Sequence, residues 1–156
     1  MSAYEVVLLV HSWLRWAVLL LGVAVFGRAW RSWRGRASLP SPALHVGFII
    51  ALDAQVALGL VLYFGLSPIP AAALQDMDAV MGDAVLRFYS LEHVFGMAAA
   101  LIAAHVAFMA GRVADGRALA SARSMFLAQA FWLFVTLGSI PWPGLAYGRA
   151  LFRTVF

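Results

Sequence analysis

Hydrophobic positions follow one another in this chain in long runs instead of alternating with polar ones. Four runs reach the length of about 20 residues that a helix needs to cross the hydrocarbon core of a bilayer. They cover residues 4–30, 42–65, 85–111 and 124–140. Lipid offers the backbone no hydrogen-bond partners, so every backbone polar group must bond within the chain. Such runs are therefore expected to be helical. The pattern predicts an all-α, integral membrane four-helix bundle, formed by a single transmembrane domain over residues 1–156.

Polar residues and prolines mark the ends of these predicted spans. Ser41 and Pro42 form a typical helix start, with an N-cap side chain followed by proline at the first helical position. The fourth span is predicted to stop before Pro141. The long acidic connection between the second and third spans contains residues 71–81, which predict a short interfacial helix.

Composition supports a membrane protein and narrows its chemistry. Hydrophobic residues make up 64% of the chain and charged residues only 12%, against about 25% charged in soluble domains. These values exclude an ordinary soluble globule and a disordered chain. The sequence contains no cysteine, so disulfides, thiolate metal sites and covalent c-type haem attachment are excluded. The arginines form no basic face, which argues against a nucleic-acid partner.

Charge asymmetry predicts the orientation. Seven of the eleven arginines fall at one predicted membrane face, namely Arg28, Arg31, Arg34, Arg36, Arg112, Arg117 and Arg123. Most acidic residues fall at the other. The positive-inside rule then places both termini on the periplasmic side of a bacterial inner (cytoplasmic) membrane and the two short basic loops in the cytoplasm.

All four histidines fall inside predicted spans, where ionisable residues are costly and are candidates for function. His11 and His93 each lie about 7 Å inside the outer boundary, and His45 and His105 lie at similar depth near the inner one. The sequence therefore predicts an outer pair, His11 with His93, and an inner pair, His45 with His105. Two imidazoles on facing helices are the arrangement that fills both axial positions of a haem iron.

The residue spacing does not support the two histidine pairs equally as haem sites. His93 and His105 are twelve residues apart, which places them roughly 120° apart around one helix. Two haems stacked in a single groove would need them on one face. The inner haem site is therefore the less supported of the two.

Three arginines near the outer end are candidate partners for haem propionates, which need cationic groups near the membrane interface. They are Arg15, Arg87 and Arg149, and Arg153 lies close to them in sequence. On this interpretation all four histidines are metal ligands, and the cofactor is haem b in one or two copies.

The chain resembles a family of small bacterial four-helix membrane proteins described as b-type cytochromes. The resemblance rests on the segments HSWLRW at residues 11–16, LRFYSLEH at 86–93 and IPWP at 140–143. It implies a haem-binding integral membrane protein, and it supports His11 and His93 best because they lie in the matching segments. Residues from Gly144 onward extend beyond the shortest form of this pattern and leave open a docking role.

The sequence thus predicts a membrane cytochrome b that relays single electrons, as a subunit of or partner to a respiratory or photosynthetic complex. A quinol or a redox protein would be its partner, and lipid would surround it. One alternative is a cofactor-free structural subunit of a larger membrane complex. A weaker alternative is a copper-handling membrane protein that uses histidine with Met97 or Met109. The sequence leaves open whether the chain is an enzyme.

Overall fold

The computed structural model describes residues 1–73, 75–112 and 118–152. Within these residues the regular structure is entirely helical. The helices are α1 (Ala3–Trp33), α2 (Pro42–Val61), α3 (Pro68–Ala73), α4 (Met77–Gly82), α5 (Ala84–Arg87), α6 (His93–Ala110) and α7 (Ala118–Gly138).

Two π-helical turns lengthen the apolar helices. Leu62–Leu66 extends α2, and Phe88–Glu92 joins α5 to α6 without a break. A π turn inserts an extra residue and leaves a carbonyl free for another partner, and such turns are frequent at functional sites. Here the hydroxyl of Tyr63 donates to the carbonyl of Ser90 at 3.0 Å, so the two π turns are bonded to each other.

Local capping chemistry sets the main helix limits. The Ser2 hydroxyl accepts from the Glu5 amide while the Glu5 carboxylate accepts from the Ser2 amide, which is a capping box. The Ser41 hydroxyl accepts from the Leu44 amide, and Pro42 is the first residue of α2, which confirms the predicted start. Helix α1 ends at Trp33, and Gly35, which follows the C-cap residue Arg34, has a φ of +67°, the left-handed conformation usual just after a helix.

The predicted interfacial helix over residues 71–81 is wrong as a continuous element. The structure has two short helices there, α3 and α4. The carboxylate of Asp76 accepts a hydrogen bond from the Ala79 amide and starts α4 as an N-cap. Aspartate at such a position competes with helix continuation, because its side chain satisfies backbone donors locally.

The four long helices form a ring. Helix α1 packs against α2 and α7, and α6 packs against the same two neighbours, so α1 and α6 face each other diagonally. The face that α6 turns to the interior is built from alanines at helical spacing: Ala100, Ala103, Ala104 and Ala107. Small residues of this kind let membrane helices approach closely. The helices packed against this alanine face can therefore lie close to α6.

Trp132 of α7 fills the centre of the bundle. Its ring is fully buried and meets Phe48 of α2 edge to face, with ring centroids 4.8 Å apart. On the α1 side it lies against Gly22, where any Cβ atom would overlap the indole. Beside it, the amide of Gln129 donates to the Gly22 carbonyl at 3.2 Å. Gly22 thus sets the distance between α1 and α7.

Three helices of the described residues are long and apolar enough to span a membrane: Ala3–Trp33, Pro42–Leu66 and Ala84–Ala110. The architecture is that of an all-helical protein compatible with a membrane helical bundle. Helix α7 is 21 residues long but is not among these three. Arg117, which enters the predicted charge asymmetry, and Arg153, which lies close in sequence to the candidate propionate partners, lie outside the described residues.

Replacing Gly22 with alanine is expected to destabilise the bundle by about 1–3 kcal/mol, as overpacking of a filled core does. The fully buried Trp132 ring cannot withdraw without disturbing Phe48. Thermal unfolding in detergent, followed by near-ultraviolet circular dichroism, measures the change. Gly27→Ala in the same helix is the control, because no atom lies within 4 Å of its added Cβ and alanine favours helix by up to about 1 kcal/mol. Equal losses in both variants would contradict this packing.

Candidate functional site

The outer histidines meet across the bundle. His11 projects from α1 and His93 from the first turn of α6, and their ring centroids are 6.4 Å apart with planes at 73°. Because α1 and α6 are diagonal in the ring, the two imidazoles approach each other in its interior. We call His11 and His93 the outer pair and the end of the bundle that carries them the outer end.

His93 is held by α7. Its Nδ1 lies 2.7 Å from the Ser139 carbonyl, and since a carbonyl only accepts, Nδ1 carries the proton and donates. Nε2 of neutral His93 is therefore the nitrogen with a free lone pair. Gly96 permits this contact, because a Cβ there would overlap the Ser139 hydroxyl. An N–H donated to a carbonyl is the usual way in which a metal-binding histidine is oriented.

His11 is held by α2. Its Nε2 lies 3.2 Å from the side-chain amide nitrogen of Gln55, and a Cβ on Gly59 would lie 3.2 Å from its Cε1. Two buried atoms are left without a hydrogen-bond partner in the described residues, His11 Nδ1 and the Gln55 oxygen. Buried polar atoms of this kind are rare in native structures and call for an explanation. With the Gln55 nitrogen donating to Nε2, Nδ1 of neutral His11 carries the proton. With the Gln55 amide turned so that its oxygen accepts from Nε2–H, the oxygen gains a partner and Nδ1 presents the lone pair that a metal needs.

The spacing of the two rings suits one metal ion. Imidazole nitrogens bind a zinc ion, for example, at about 2.0–2.1 Å. Two such nitrogens on opposite sides of one ion therefore lie about 4 Å apart, and the centres of their rings lie about 6 Å apart. The observed 6.4 Å matches this estimate. No group of three or more metal-binding side chains occurs in the part of the chain that the structure describes. The outer pair therefore offers two protein ligands, one on each side of the bundle interior.

The outer pair is partly buried in the bundle and lies apart from its surface cavities. One cavity of about 250 Å³ lies beside the turn after α2, and an open apolar surface lies on α6 near Leu101. Neither is lined by His11 or His93. The separation of the two ring centres is compatible with one imidazole on each side of a haem iron, and a macrocycle would enter only if the helices around the pair separated.

The three predicted propionate arginines lie at the outer end, and each already has a partner. Arg15 donates to the Leu151 carbonyl at 2.7 Å, and its Nε is buried without a partner in the described residues. Arg149 lies over the Tyr89 ring at 4.4 Å. Arg87 bonds Glu92 at 2.8 Å and the Met81 carbonyl at 3.0 Å. Glu92, beside His93 in sequence, is thus engaged with Arg87.

Residues 141–152 form an outer strap across this end of the bundle, a feature that sequence reasoning missed. Tyr147 stacks on Phe88 at 3.8 Å, and Phe88 in turn lies against His93 with ring centroids 5.7 Å apart. Phe152 stacks on Trp16 at 5.1 Å. The aromatic residues of the strap were visible in the sequence, but nothing local indicated which rings they would meet.

His45 and His105, the predicted inner pair, have different neighbours in the structure. His45 is buried against the rings of Phe48 and Phe108, and its Nε2 has no hydrogen-bond partner among the described residues. His105 instead faces Asp53 of α2, with Nε2 3.6 Å from Oδ1. Helix α6 is regular from His93 to Ala110, so His93 and His105 lie on different sides of it, as the twelve-residue spacing predicts.

Comparison of the chain with protein families, with curated proteins and with solved structures gave no match.

The Arg15 contact is expected to hold the outer strap in place. Arg15→Met keeps the aliphatic stem but removes a charged donor worth about 1.5–3 kcal/mol. The Arg149 amide, which donates to the Pro141 carbonyl, should then exchange its hydrogen at least roughly tenfold faster. Hydrogen–deuterium exchange with mass spectrometry reads this out. Arg28→Met, which removes a contact with Ser38 at the other end of α1, should leave that amide unchanged. Unaltered exchange in Arg15→Met would show that the strap is held without Arg15, by its aromatic stacking and by the hydrogen bonds that Trp16 and Tyr89 donate to the Leu151 and Tyr147 carbonyls.

Proposed function

We propose that this chain is an integral membrane b-type cytochrome that carries one haem on the outer pair and relays single electrons. The observation that carries the proposal is the contact of His11 and His93 across the bundle at a ring separation of 6.4 Å. A haem iron needs only two protein ligands because the macrocycle supplies the others. When bound, the haem would supply reversible one-electron chemistry.

The chain's own residues have separate roles in this proposal. His11 and His93 would hold the haem, and Gln55 and Ser139 orient the two rings. The outer strap shields the pair from water on the periplasmic side. Arg15 and Arg149 lie close enough to the outer end to serve propionates once they exchange their present partners.

The proposed membrane setting has four spans. Helix α7, with 21 residues, is long enough to be the fourth span beside the three that meet the length and hydropathy criteria. The excess of arginines in the two short loops favours a bacterial inner membrane protein with both termini periplasmic. Its small connections leave little room for a substrate domain, which favours a subunit or partner of a larger redox complex.

Absorption spectra test the proposal. Protein purified in detergent from haem-sufficient cells should show a reduced-minus-oxidised α-band of a low-spin b haem, with about one pyridine haemochrome per chain, since one bis-histidine pair is formed. His11→Gln and His93→Gln should each lose the low-spin band while keeping the helical circular dichroism of the parent protein.

The same spectra separate the competing interpretations. A stoichiometry of about two, falling to about one in His45→Gln or His105→Gln, would place a second haem on the inner pair. A colourless, folded protein would overturn the cytochrome proposal and favour the cofactor-free structural subunit. Copper bound in place of haem, with loss in Met109→Leu, would favour the copper-handling alternative.

A further inference from the structure

Four aromatic rings meet where α1 and α7 pack together near the inner end of the bundle, the end opposite the outer pair. The ring of Phe126 on α7 stacks on Trp33 of α1, with centroids 4.9 Å apart and planes at 14°. Trp30 and Phe26 lie against the same Phe126 ring, at 5.1 Å and 5.5 Å. We call these four rings the inner ring cluster. Trp30 is 41% exposed, so the cluster reaches the outer surface of the bundle, which lipid would cover.

Two arginines border the inner ring cluster, one from each helix. Arg34, the C-cap residue of α1, places its guanidinium 5.5 Å from the centre of the Trp30 ring. Arg123 lies on α7 three residues before Phe126, and residues at this spacing are neighbours on one helix face, with Cβ atoms about 5–6 Å apart. Since α7 runs away from the inner end, Arg123 lies closer to that end than Phe126 does. Both arginine side chains are exposed.

The positive charge at the inner end is not balanced within the chain. The two ion pairs among the described residues, Arg87–Glu92 and Asp53–His105, lie elsewhere. Residues 28–36 and 111–124 contain seven arginines and one acidic residue, Asp115, which lies outside the described residues and can balance only one of them. A guanidinium without a carboxylate partner favours phosphate, whose oxygens it can bind in a bidentate manner.

We propose that this surface binds one anionic phospholipid, with the headgroup phosphate between Arg34 and Arg123 and an acyl chain along the inner ring cluster. Such a lipid supplies the negative charge that the arginines lack together with an apolar chain for the exposed rings. Tryptophan rings are typical of the membrane interface, and basic residues at the cytoplasmic surface attract anionic lipids. The rings beside the two cations favour a lipid over free phosphate or an acidic peptide. The inference rests on the proposed membrane setting and is independent of the haem.

Native mass spectrometry of the protein, released from a nonionic detergent, tests this binding. The protein is titrated separately with phosphatidylglycerol and with phosphatidylcholine of the same acyl chains. One phosphatidylglycerol should bind first, with an affinity at least roughly tenfold above that of phosphatidylcholine. The reason is that each arginine near an anionic headgroup contributes about fivefold.

Matched double variants locate the site. Arg34→Gln with Arg123→Gln should bring the two affinities to within about threefold of each other, because both phosphate contacts are lost. Arg28→Gln with Arg31→Gln removes the same charge from the same end. A helix turns about 100° per residue, so residues 28 and 31 lie roughly 140–200° around α1 from Phe26. This control should therefore keep the tenfold preference, and both double variants should keep the helical circular dichroism of the parent protein.

Several outcomes would overturn the inference. Absence of a preference for phosphatidylglycerol would do so, and equal losses in the two double variants would reduce the effect to the overall charge of the inner end. Glycerol phosphate, which has no acyl chain, should not displace the bound lipid at an equal concentration. Displacement would show that the arginines bind phosphate without the rings, and it would overturn the assignment to a lipid.

Absorption spectra of the same samples keep this inference and the proposed function distinguishable. An intact low-spin haem spectrum without a lipid preference overturns this inference alone. Phosphatidylglycerol bound to a colourless protein overturns the cytochrome proposal alone. A chain that stays in solution without detergent would overturn the membrane setting, and this inference with it.

Discussion

A polar nitrogen inside a membrane bundle is costly unless another group satisfies it, and this constraint organises the outer end of the molecule. Each histidine of the outer pair is anchored by a neighbouring helix: His93 by the Ser139 carbonyl that follows α7, and His11 by Gln55 of α2. One hydrogen bond joins α6 to the end of α7, the other joins α1 to α2, and the contact of the two imidazoles links these helix pairs at one level. The two hydrogen bonds also leave one nitrogen of each ring without a protein partner. Nε2 of His93 presents a lone pair, and Nδ1 of His11 does so when the Gln55 oxygen, which also lacks a partner in the described residues, accepts from Nε2–H.

Small residues make this arrangement possible. Gly22 admits the indole of Trp132, Gly59 lies against the ring of His11, and Gly96 lets Ser139 reach His93. In lipid there is no hydrophobic force between helices, so close packing of this kind carries much of their association. The same positions therefore set both the stability of the bundle and the orientation of the two imidazoles.

Depth in the membrane could be predicted from the sequence, but rotation about the helix axes could not. The fixed rise of a helix places His11 and His93 at one level, and the local capping of Ser41 and Pro42 predicts the start of α2. The partner of His105 depends on how α2 and α6 are turned toward each other, so Asp53 was not foreseen as its neighbour. The stacking of Tyr147 on Phe88 is likewise a tertiary contact without a local signal.

The central claim is that His11 and His93 are the two axial ligands of one haem iron. Low-temperature pulsed electron paramagnetic resonance of the oxidised protein, with nitrogen-15 histidine, tests it most directly. The account predicts a low-spin ferric signal coupled to two imidazole nitrogens, with one coupling lost in His11→Gln and one in His93→Gln. A ferric signal whose two couplings survive both substitutions, or no ferric signal from haem-sufficient cells, would contradict the account.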